Sequence, residues 1–267
     1  MIGIHKYPRT PHLLDSALQP GDEDLTRAGF EDVAGRHLVV EEKLDGANAA
    51  ISFDGDGGLL LQSRGHYLTG GPRERQFDRF KSWAHGLADL LRAALGTRYV
   101  VYGEWLYAKH TIYYDALPQY FLEFDILDRG ANEFLSTERR RALLAGVPIA
   151  SVPVLQVGPV ANAAALTALL GPSSFKSSAW RRSLAEAAGA PPHDADLVLR
   201  QTDASDLMEG LYIKVEEDGR VAGRFKYVRH DFLATVLDSE SHWQSRPILP
   251  NRLAESAAIP GQHRGAV

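Results

Sequence analysis

The chain has 267 residues, of which 45% are hydrophobic and 24% are charged, and its formal net charge is −5. A chain of this size can bury a large core, either as one large domain or as two small ones. The negative net charge argues against nucleic-acid binding through bulk electrostatics, because phosphate backbones attract surfaces rich in lysine and arginine. The absence of cysteine excludes disulfides, thiolate metal sites and a cysteine nucleophile.

No part of the sequence resembles a membrane span, and the first residues lack the apolar stretch of a signal peptide. We therefore expect a cytoplasmic protein that makes no membrane contact. The 10 histidines are scattered, without an HxxxH or HxH pair, so a histidine metal site is not favoured.

The pattern of apolar residues predicts mostly strands in the first half of the chain and a mixture of strands and helices in the second. The segment up to about residue 36 is rich in proline, glycine and charge and is predicted to pack across the domain as an extended arm. Because the strands are grouped in hairpins, we expect an α+β fold of antiparallel sheets with flanking helices. The predicted strands are 38–43, 48–53, 59–64, 99–107, 120–127, 152–157, 210–215 and 220–227, and the predicted helices are 73–95, 136–146, 161–170, 174–189 and 194–201, with a terminal helix after 230.

The segment from residue 43 to residue 48, KLDGAN, lies between two predicted strands. It places the amine of Lys43, the carboxylate of Asp45 and the carboxamide of Asn48 at one strand end. Amines can act as nucleophiles when polar neighbours control their protonation. A surface turn has the same composition, so this segment alone does not decide between a catalytic site and a charged turn.

Four further segments pair charged residues with glycine or aromatic residues in a strand context. Glu104 lies in an otherwise apolar strand, where an unpaired carboxylate is costly, so it needs either a ligand or a structural ion-pair partner. Arg224 and Lys226 are two residues apart in a strand, so they project from one face and could hold one phosphate group together. The segments are SRG around Arg64, YGEW around Glu104, EFDI around Phe124, and EGLYIK from Glu209 with GRFKY around Lys226.

Other basic residues are open to two interpretations. The run Arg139 to Arg141 is predicted to form a solvated helix face. Lys109 and His110 lie between two predicted strands, where they could contact a substrate phosphate or form part of a solvated loop.

Five of these positions resemble, in chain order, motifs I, III, IIIa, IV and V of the covalent nucleotidyltransferases, which comprise polynucleotide ligases and mRNA capping enzymes. They are Lys43 in KLDG, Glu104 in YGEW, Phe124 in EFDI, Glu209 in EGLYIK and Lys226 in GRFKY. Asn48, two residues after Gly46, is similar to the KxxGxN form of RNA ligases of the bacteriophage T4 RNA ligase 2 type. The resemblance covers about residues 36–230 and favours an ATP-dependent RNA ligase. It implies an ATP-grasp-like nucleotidyltransferase domain over 1–230, including the arm. The residues after Lys226 are too few for the OB fold of DNA ligases and capping enzymes, so we expect a short C-terminal helix and tail over 231–267 and no OB domain.

By this resemblance, Lys43 attacks the α-phosphorus of ATP and forms lysyl-AMP. AMP then passes to the 5′-phosphate of an RNA end, and a 3′-hydroxyl displaces it. The implied roles are catalysis for Asp45, nucleotide binding for Glu42, ribose binding for Glu104, adenine stacking for Phe124, nucleotide or RNA 5′-phosphate binding for Arg64, α-phosphate binding for Arg224 and Lys226, metal binding for Glu209, and ordering of the metal's water shell or the phosphate for Asn48.

The acids around Lys43 carry a consequence for the cofactor. Glu41, Glu42 and Asp45 are expected to raise the pKa of Lys43, and an ammonium cannot attack phosphorus. The sequence therefore predicts dependence on Mg²⁺ or Mn²⁺ together with ATP. A DNA ligase, a capping-type enzyme and a non-catalytic nucleotide-binding module of the same fold remain alternatives, and the need for a protein partner that recruits RNA is left open.

Overall fold

The computed structural model describes residues 3–18, 22, 24–238 and 247–255. All strands in the described residues belong to two sheets. They are β1 (His12–Leu13), β2 (Arg27–Ala28), β3 (Leu38–Lys43), β4 (Ala47–Phe53), β5 (Leu59–Ser63), β6 (Tyr99–Trp105), β7 (Phe121–Asp128), β8 (Glu133–Phe134), β9 (Ala150–Ser151), β10 (Val154–Val157), β11 (Gly210–Glu217) and β12 (Arg220–Val228).

Helices flank the two sheets, so the predicted α+β class of antiparallel sheets with flanking helices is confirmed. No helix in the described ranges has the length and apolar composition needed to cross a membrane. The helices are α1 (Asp78–Gly86), α2 (Ala88–Leu95), α3 (Thr137–Leu143), α4 (Ala163–Thr167), α5 (Trp180–Ala188), α6 (Ala195–Arg200) and α7 (His230–Asp238), with 3₁₀ turns at Phe30–Asp32 and Pro72–Phe77.

The first sheet has the order β10-β3-β11-β12-β1-β2 and carries the lysine at the end of β3. The β11–β12 hairpin turns at Asp218 and Gly219, which both have positive φ, of 51° and 75°. Such a turn matches the natural twist of the two strands, and its residue types permit this backbone conformation. Strand β1 extends the sheet in parallel with β12, so part of the predicted arm is built into the sheet.

The second sheet has the order β5-β4-β6-β7-β8, with β9 paired in parallel to β7. The predicted strand 152–157 is observed as β10, which begins only at Val154, and a separate short strand, β9, precedes it. Strand β9 joins the second sheet while β10 pairs with β3 of the first, so the chain crosses between sheets around Pro153, which has no backbone N–H to donate.

Several observed helices are shorter than the sequence pattern suggests, and two illustrate the difference. The predicted helix 73–95 consists of a 3₁₀ turn followed by α1 and α2, which meet at Leu87. The predicted helix 174–189 begins only at Trp180. Its first residues are held elsewhere, because the backbone N–H of Ser174 and the hydroxyl of Ser173 donate to the Glu42 carboxylate.

Opposed faces of the two sheets enclose a polar network. Arg140 on α3 donates to Glu41 of the first sheet and Glu123 of the second, at 2.7 and 2.5 Å. Lys214 lies 2.8 Å from Glu41 and 3.1 Å from Asp125. The prediction that Arg139 to Arg141 form a solvated face is therefore wrong at Arg140, which is 2% exposed. Its two acids come from strands far apart in sequence.

The C-terminal part of the described chain returns to the body of the protein. Residues 247–255 pair with the loop between β6 and β7, through bridges from Ala108 to Pro250 and from Leu117 to Leu253. The rest of the predicted C-terminal tail, 239–246 and 256–267, lies outside the described residues. The domain boundary at residue 230 stays a prediction.

Candidate active site

Lys43 lies at the end of β3, where its amine meets a carboxylate from the neighbouring strand. Its Nζ is 2.5 Å from Oε1 of Glu209, and Lys43 pairs with Gly210 in the β3–β11 ladder. A Cβ at Gly210 would lie 1.9 Å from the carbonyl oxygen of Tyr227, so only glycine fits between these strands. The EG sequence thus brings a carboxylate to the lysine and lets β12 pack closely.

Electrostatics at this pair favour the charged amine. Burial alone would lower the pKa of Lys43, but the negative charge of Glu209, with contributions from Glu104 and Asp45, raises it above its ordinary value. Of the three acids predicted to raise the pKa of Lys43, Asp45 contributes, but Glu209 and Glu104 contribute more. Glu41 and Glu42 are bound elsewhere, by Arg140 and Ser173. Lys43 is held as an ammonium and must lose a proton before it can act as a nucleophile.

Glu104 approaches the same lysine from the second sheet. It pairs with Asn48 in the β4–β6 register, and its Oε1 accepts the backbone N–H of Gly46 at 3.1 Å. Burial raises the pKa of Glu104 to about 8, although the positive charge of Lys43 opposes the shift. A Cβ at Gly46 would lie 2.7 Å from Leu106, so the glycine permits this close crossing.

Asp45 anchors the loop between β6 and β7. Its Oδ2 accepts the backbone N–H groups of Thr111 and Ile112, both at 2.7 Å, and its own N–H donates to the Tyr114 hydroxyl at 2.9 Å. The predicted catalytic role of Asp45 stays a prediction. The contacts make it a link between the lysine segment and this loop.

Lys226 lies near Lys43 and is bound by an acid that the sequence analysis did not identify. Its Nζ donates to Oδ2 of Asp22. Burial lowers the pKa of Lys226, and the charge of Lys43 lowers it further. His12, opposite Lys226 in the sheet, contacts the same carboxylate. A short strand and a charged loop gave no sequence signal for this pairing.

Phe124 and Arg224 lie along the cleft between the sheets, around Tyr7 from the N-terminal segment. The rings of Phe124 and Tyr7 meet edge to face at 5.1 Å. Arg224 stacks 3.8 Å from the ring centre of Phe134 and lies 3.8 Å from Asp125. Within the described residues, the side chain of Arg224 contacts Tyr7, Phe134 and Asp125 rather than Lys43. Its phosphate role stays a prediction, as does adenine stacking by Phe124.

The other two predicted nucleotide-binding residues have different surroundings. Glu42 is buried, next to Lys43 in the strand and therefore on the opposite face, and it accepts from Ser173 at 2.6 Å and Ser174 at 3.0 Å. Arg64 is exposed after β5, and its charge acts on Glu104. Both roles stay predictions.

The Lys109 and His110 pair is built into the β6–β7 loop. The amine of Lys109 donates to the carbonyls of His110 and Gln201, at 3.0 and 2.9 Å. His110 is buried and lies 3.9 Å from Asp45. These contacts give both residues a structural role, and phosphate contact by either stays a prediction.

The residues fit a divalent metal that shares its coordination with phosphate. No group of three or more histidine or acidic side chains is assembled for a metal within the described part of the chain. Glu209 supplies one carboxylate, and the buried Oδ1 of Asn48 accepts no hydrogen bond from the described residues. Mg²⁺ commonly takes one or two protein oxygens and completes its shell with water and substrate phosphate. This donor set suits that arrangement.

The two-sheet fold, with a lysine at one end of the cleft, is that of the nucleotidyltransferase domain of RNA ligases. The chain is similar to two solved structures of an RNA ligase from Naegleria gruberi. One is a lysine-to-alanine mutant with ATP and Mn, which is 19% identical and has a TM-score of 0.51. The match covers 78% of this chain and 53% of that structure's chain. The other is a different lysine-to-alanine mutant in the apo form, which is 19% identical and has a TM-score of 0.50. Here the match covers 78% of this chain and 54% of that structure's chain.

The sequence identifies the family more directly. The RNA ligase family model matches residues 36–228, and the chain belongs to this family. A comparison with curated proteins finds no match. The chain spans about half the length of the Naegleria structures that it matches. The finer likeness to the T4 RNA ligase 2 type stays a prediction.

Proposed function

We propose that this protein is an ATP-dependent RNA ligase that forms a lysyl-AMP intermediate on Lys43. The observation that carries the proposal is the 2.5 Å pairing of Lys43 with Glu209. Glu104 also raises the pKa of Lys43, and the charge of Lys43 lowers the pKa of Lys226. The match of residues 36–228 to the RNA ligase family supports the same activity. The Naegleria ligase structure with ATP and Mn supports the choice of nucleotide and of a divalent metal.

In the first step, the neutral amine of Lys43 attacks the α-phosphorus of ATP. A nitrogen–phosphorus bond forms, the bond from phosphorus to the pyrophosphate oxygen breaks, and the amine proton is released to solvent. The ammonium of Lys226 stabilises the negative charge on the α-phosphate, and this charge increases in the transition state. Glu104 accepts from the ribose hydroxyls, and Phe124 stacks on adenine.

Two transfers follow at the same site. The 5′-phosphate of an RNA end attacks the phosphorus of lysyl-AMP and releases Lys43, and a 3′-hydroxyl then displaces AMP to form the phosphodiester. Arg64 and Arg224 contact the nucleotide or RNA phosphates. A divalent cation would be held by Glu209, with Asn48 ordering its water shell or the phosphate, and would neutralise phosphate charge when bound.

The proton on Lys43 explains why the metal matters. Glu209 stabilises the ammonium, so the amine becomes available more easily when the charge of Glu209 is shared with a cation. Metal dependence of the first step therefore follows from the ion pair as well as from the phosphate charge. Asp45 acts here by fixing the backbone between Lys43 and the β6–β7 loop.

The test is retention of label after incubation with Mg²⁺ and labelled ATP, GTP or NAD. Label from ATP alone, resistant to denaturation and absent in Lys43→Ala, is the expected result. Arg36→Ala is a matched control, because Arg36 is a cation near the start of β3 whose partner is the exposed Glu217. Label from GTP would indicate a capping-type enzyme, and no adduct from any nucleotide would contradict the proposal.

Sealing assays then test the later steps. We expect joining of ends that carry a 5′-phosphate and a 3′-hydroxyl, compared on nicked duplex RNA, an RNA/DNA hybrid, nicked DNA and single-stranded RNA. Sealing of nicked DNA alone would make the protein a DNA ligase. Self-adenylylation without sealing of any substrate would restrict the activity to the first step and point to a partner that recruits RNA.

A further inference from the structure

A carboxylate from the N-terminal segment lies in a basic pocket beside Lys43. Asp22 is 15% exposed and accepts hydrogen bonds from three side chains. Its Oδ2 accepts from Lys226 Nζ and lies 3.2 Å from His12 Nε2, and its Oδ1 accepts from Arg9 at 3.1 Å. These partners outweigh the cost of burial and lower the pKa of Asp22 to about 2, so it is an anion at neutral pH.

His12 is arranged to donate to an anion rather than to accept from a cation. It is fully buried, and its Nδ1 lies 2.7 Å from the Ser16 hydroxyl, whose oxygen also accepts the N–H of Val228. Burial lowers the pKa of His12, and Lys226 lowers it further, so the ring is neutral near pH 7. A Ser16 hydroxyl that donates to Nδ1 leaves the ring proton on Nε2, which faces Asp22.

The three donors surround Asp22 as they would surround a phosphate. A lysine ammonium, an imidazole N–H and an arginine guanidinium are the groups that bind phosphate oxygens in proteins. The pocket lies near the nucleophile, because Lys43 and Val228 flank Gly210 on neighbouring strands and Lys226 is two residues from Val228 on the same face. A carboxylate carries one negative charge, whereas phosphate groups carry up to two and offer more acceptor oxygens.

We propose that Arg9, His12 and Lys226 form a phosphate-binding site that Asp22 fills in the free protein and leaves when a phosphate group binds. Asp22 is thus an intramolecular competitor for the phosphate of a nucleotide or of an RNA 5′ end. The proposal rests on the proposed function for the identity of this ligand. It adds two residues of the N-terminal segment to the site, both outside the region matched by the family model.

The test compares Asp22→Asn with the wild type by calorimetric titration with pyrophosphate and with ATP, each in Mg²⁺. When Asp22 occupies the site in most molecules, the apparent affinity for phosphate equals the intrinsic affinity multiplied by the small fraction of molecules whose site is free. Removing the competing charge is therefore expected to tighten binding about fivefold or more. Asp24→Asn is the matched control, because Asp24 accepts from the same Arg9 at 2.7 Å, whereas the acid that Lys226 and His12 contact is Asp22. Its affinities are expected to stay within about twofold of the wild type.

Two RNA ligands distinguish the sources of the phosphate. A gain in Asp22→Asn for oligoribonucleotides with a 5′-phosphate, but not for those with a 5′-hydroxyl, would place the RNA end in this site. A gain for ATP and pyrophosphate alone would assign the site to the nucleotide. Arg9→Gln in the Asp22→Asn background is expected to remove part of the gain in either case.

Unchanged or weaker binding of all these ligands by Asp22→Asn would overturn the proposal, since Asp22 would then hold Lys226 in place rather than compete with ligand. Asp22→Ser repeats the comparison with a smaller neutral side chain, and melting temperatures identify any loss of folding. Pyrophosphate binding requires no AMP transfer. A gain in pyrophosphate affinity without an AMP adduct would therefore support this site and contradict the proposed function. An AMP adduct without any gain in affinity would support the proposed function and contradict this site.

Discussion

The amine of Lys43 and the carboxylate of Glu209 form a 2.5 Å ion pair, although 166 residues separate them in the chain. The β3–β11 ladder creates the pair by placing Lys43 opposite Gly210. The two side chains differ in exposure, because Lys43 is 20% exposed and Glu209 is 2% exposed. A ligand that enters the cleft therefore reaches the pair from the side of the lysine.

Glu209→Gln tests whether this acid holds a metal or only pairs with the amine. Removing the carboxylate charge should lower the pKa of Lys43, so the pH profile of self-adenylylation should move to lower pH. If Glu209 also holds the cation, the metal concentration for half-maximal rate should rise about tenfold or more. Both are read from rates measured against pH and against Mg²⁺ and Mn²⁺ concentration.

The control for this variant is Glu217→Gln, at the far end of β11 from Glu209, where the acid is exposed and paired with Arg36. It should leave both profiles unchanged. A shifted pH profile with an unchanged metal requirement in Glu209→Gln would assign Glu209 to the ion pair alone.

Glu104 should make stability depend on pH. Burial raises its pKa to about 8 from an ordinary value of 4.5, so the folded protein holds this proton when the unfolded chain has lost it. The carboxyl therefore costs increasing folding free energy as pH rises from about 4.5 to about 8. Glu104→Gln removes the ionisable group and keeps an oxygen for the Gly46 N–H. From pH 6 to pH 9, the free energy of unfolding of this variant should therefore fall by about 1–3 kcal/mol less than that of the wild type.

Denaturant unfolding of the two proteins at both pH values measures this difference. Asp89→Asn is a suitable control, because Asp89 is exposed and its partner is Arg92 on the same helix. Parallel loss of stability in Glu104→Gln and the wild type would show that Glu104 is already ionised in the folded protein at pH 6.

The local parts of this site could be predicted from the sequence, and the long-range pairings could not. Strand patterns and glycine turns are local signals, and they locate Lys43, Glu104 and Lys226 on strands. The partners of Lys226 are a carboxylate 204 residues away and a histidine on a two-residue strand. Side chains of this kind are brought together by sheet order, which periodicity does not specify.

Arg140 illustrates the same limit in the core. A run of three arginines on a short helix predicts a solvated face, since isolated charges are rarely buried. Burial of the middle one is compensated by Glu41 and Glu123, which come from opposite sheets. The family resemblance could not supply this information either, because the quoted motifs leave out Arg140 and Glu41 and give Glu123 of EFDI no role.

Arg140→Met should destabilise the fold strongly. It leaves Glu41 and Glu123 buried without their guanidinium partner, and breaking a buried ion pair from one side costs about 3–5 kcal/mol. The neighbouring Arg139→Met is the matched control, because Arg139 is exposed and its guanidinium donates to the Gly219 carbonyl rather than to a buried acid. Chemical denaturation of both variants measures the cost. Equal stabilities would mean that the two acids are neutral or find other partners.

The C-terminal segment supports the lysine indirectly through Asn251. This residue is 1% exposed, and its side chain accepts from the Tyr114 N–H at 2.9 Å and donates to the Leu106 carbonyl at 2.8 Å. Both partners lie in the β6–β7 loop, whose Thr111 and Ile112 hold Asp45. The contacts therefore run from the C-terminal segment through the loop to the residues beside Lys43.

Asn251→Ala should lower both stability and the rate of self-adenylylation. The two buried backbone groups lose their partner, which costs about 1–3 kcal/mol each, and the loop that fixes Asp45 is less restrained. The rate of adduct formation should fall about tenfold or more at saturating ATP, because misplacing groups near a nucleophile is costly even at a distance. Arg252→Ala is the control, since its exposed side chain contacts Glu186 and its backbone bonds remain. If the Asn251 variant is less stable but adenylylates at the wild-type rate below its melting temperature, Asn251 acts in folding alone. If the folded variant loses rate, Asn251 is a positioning residue for Lys43.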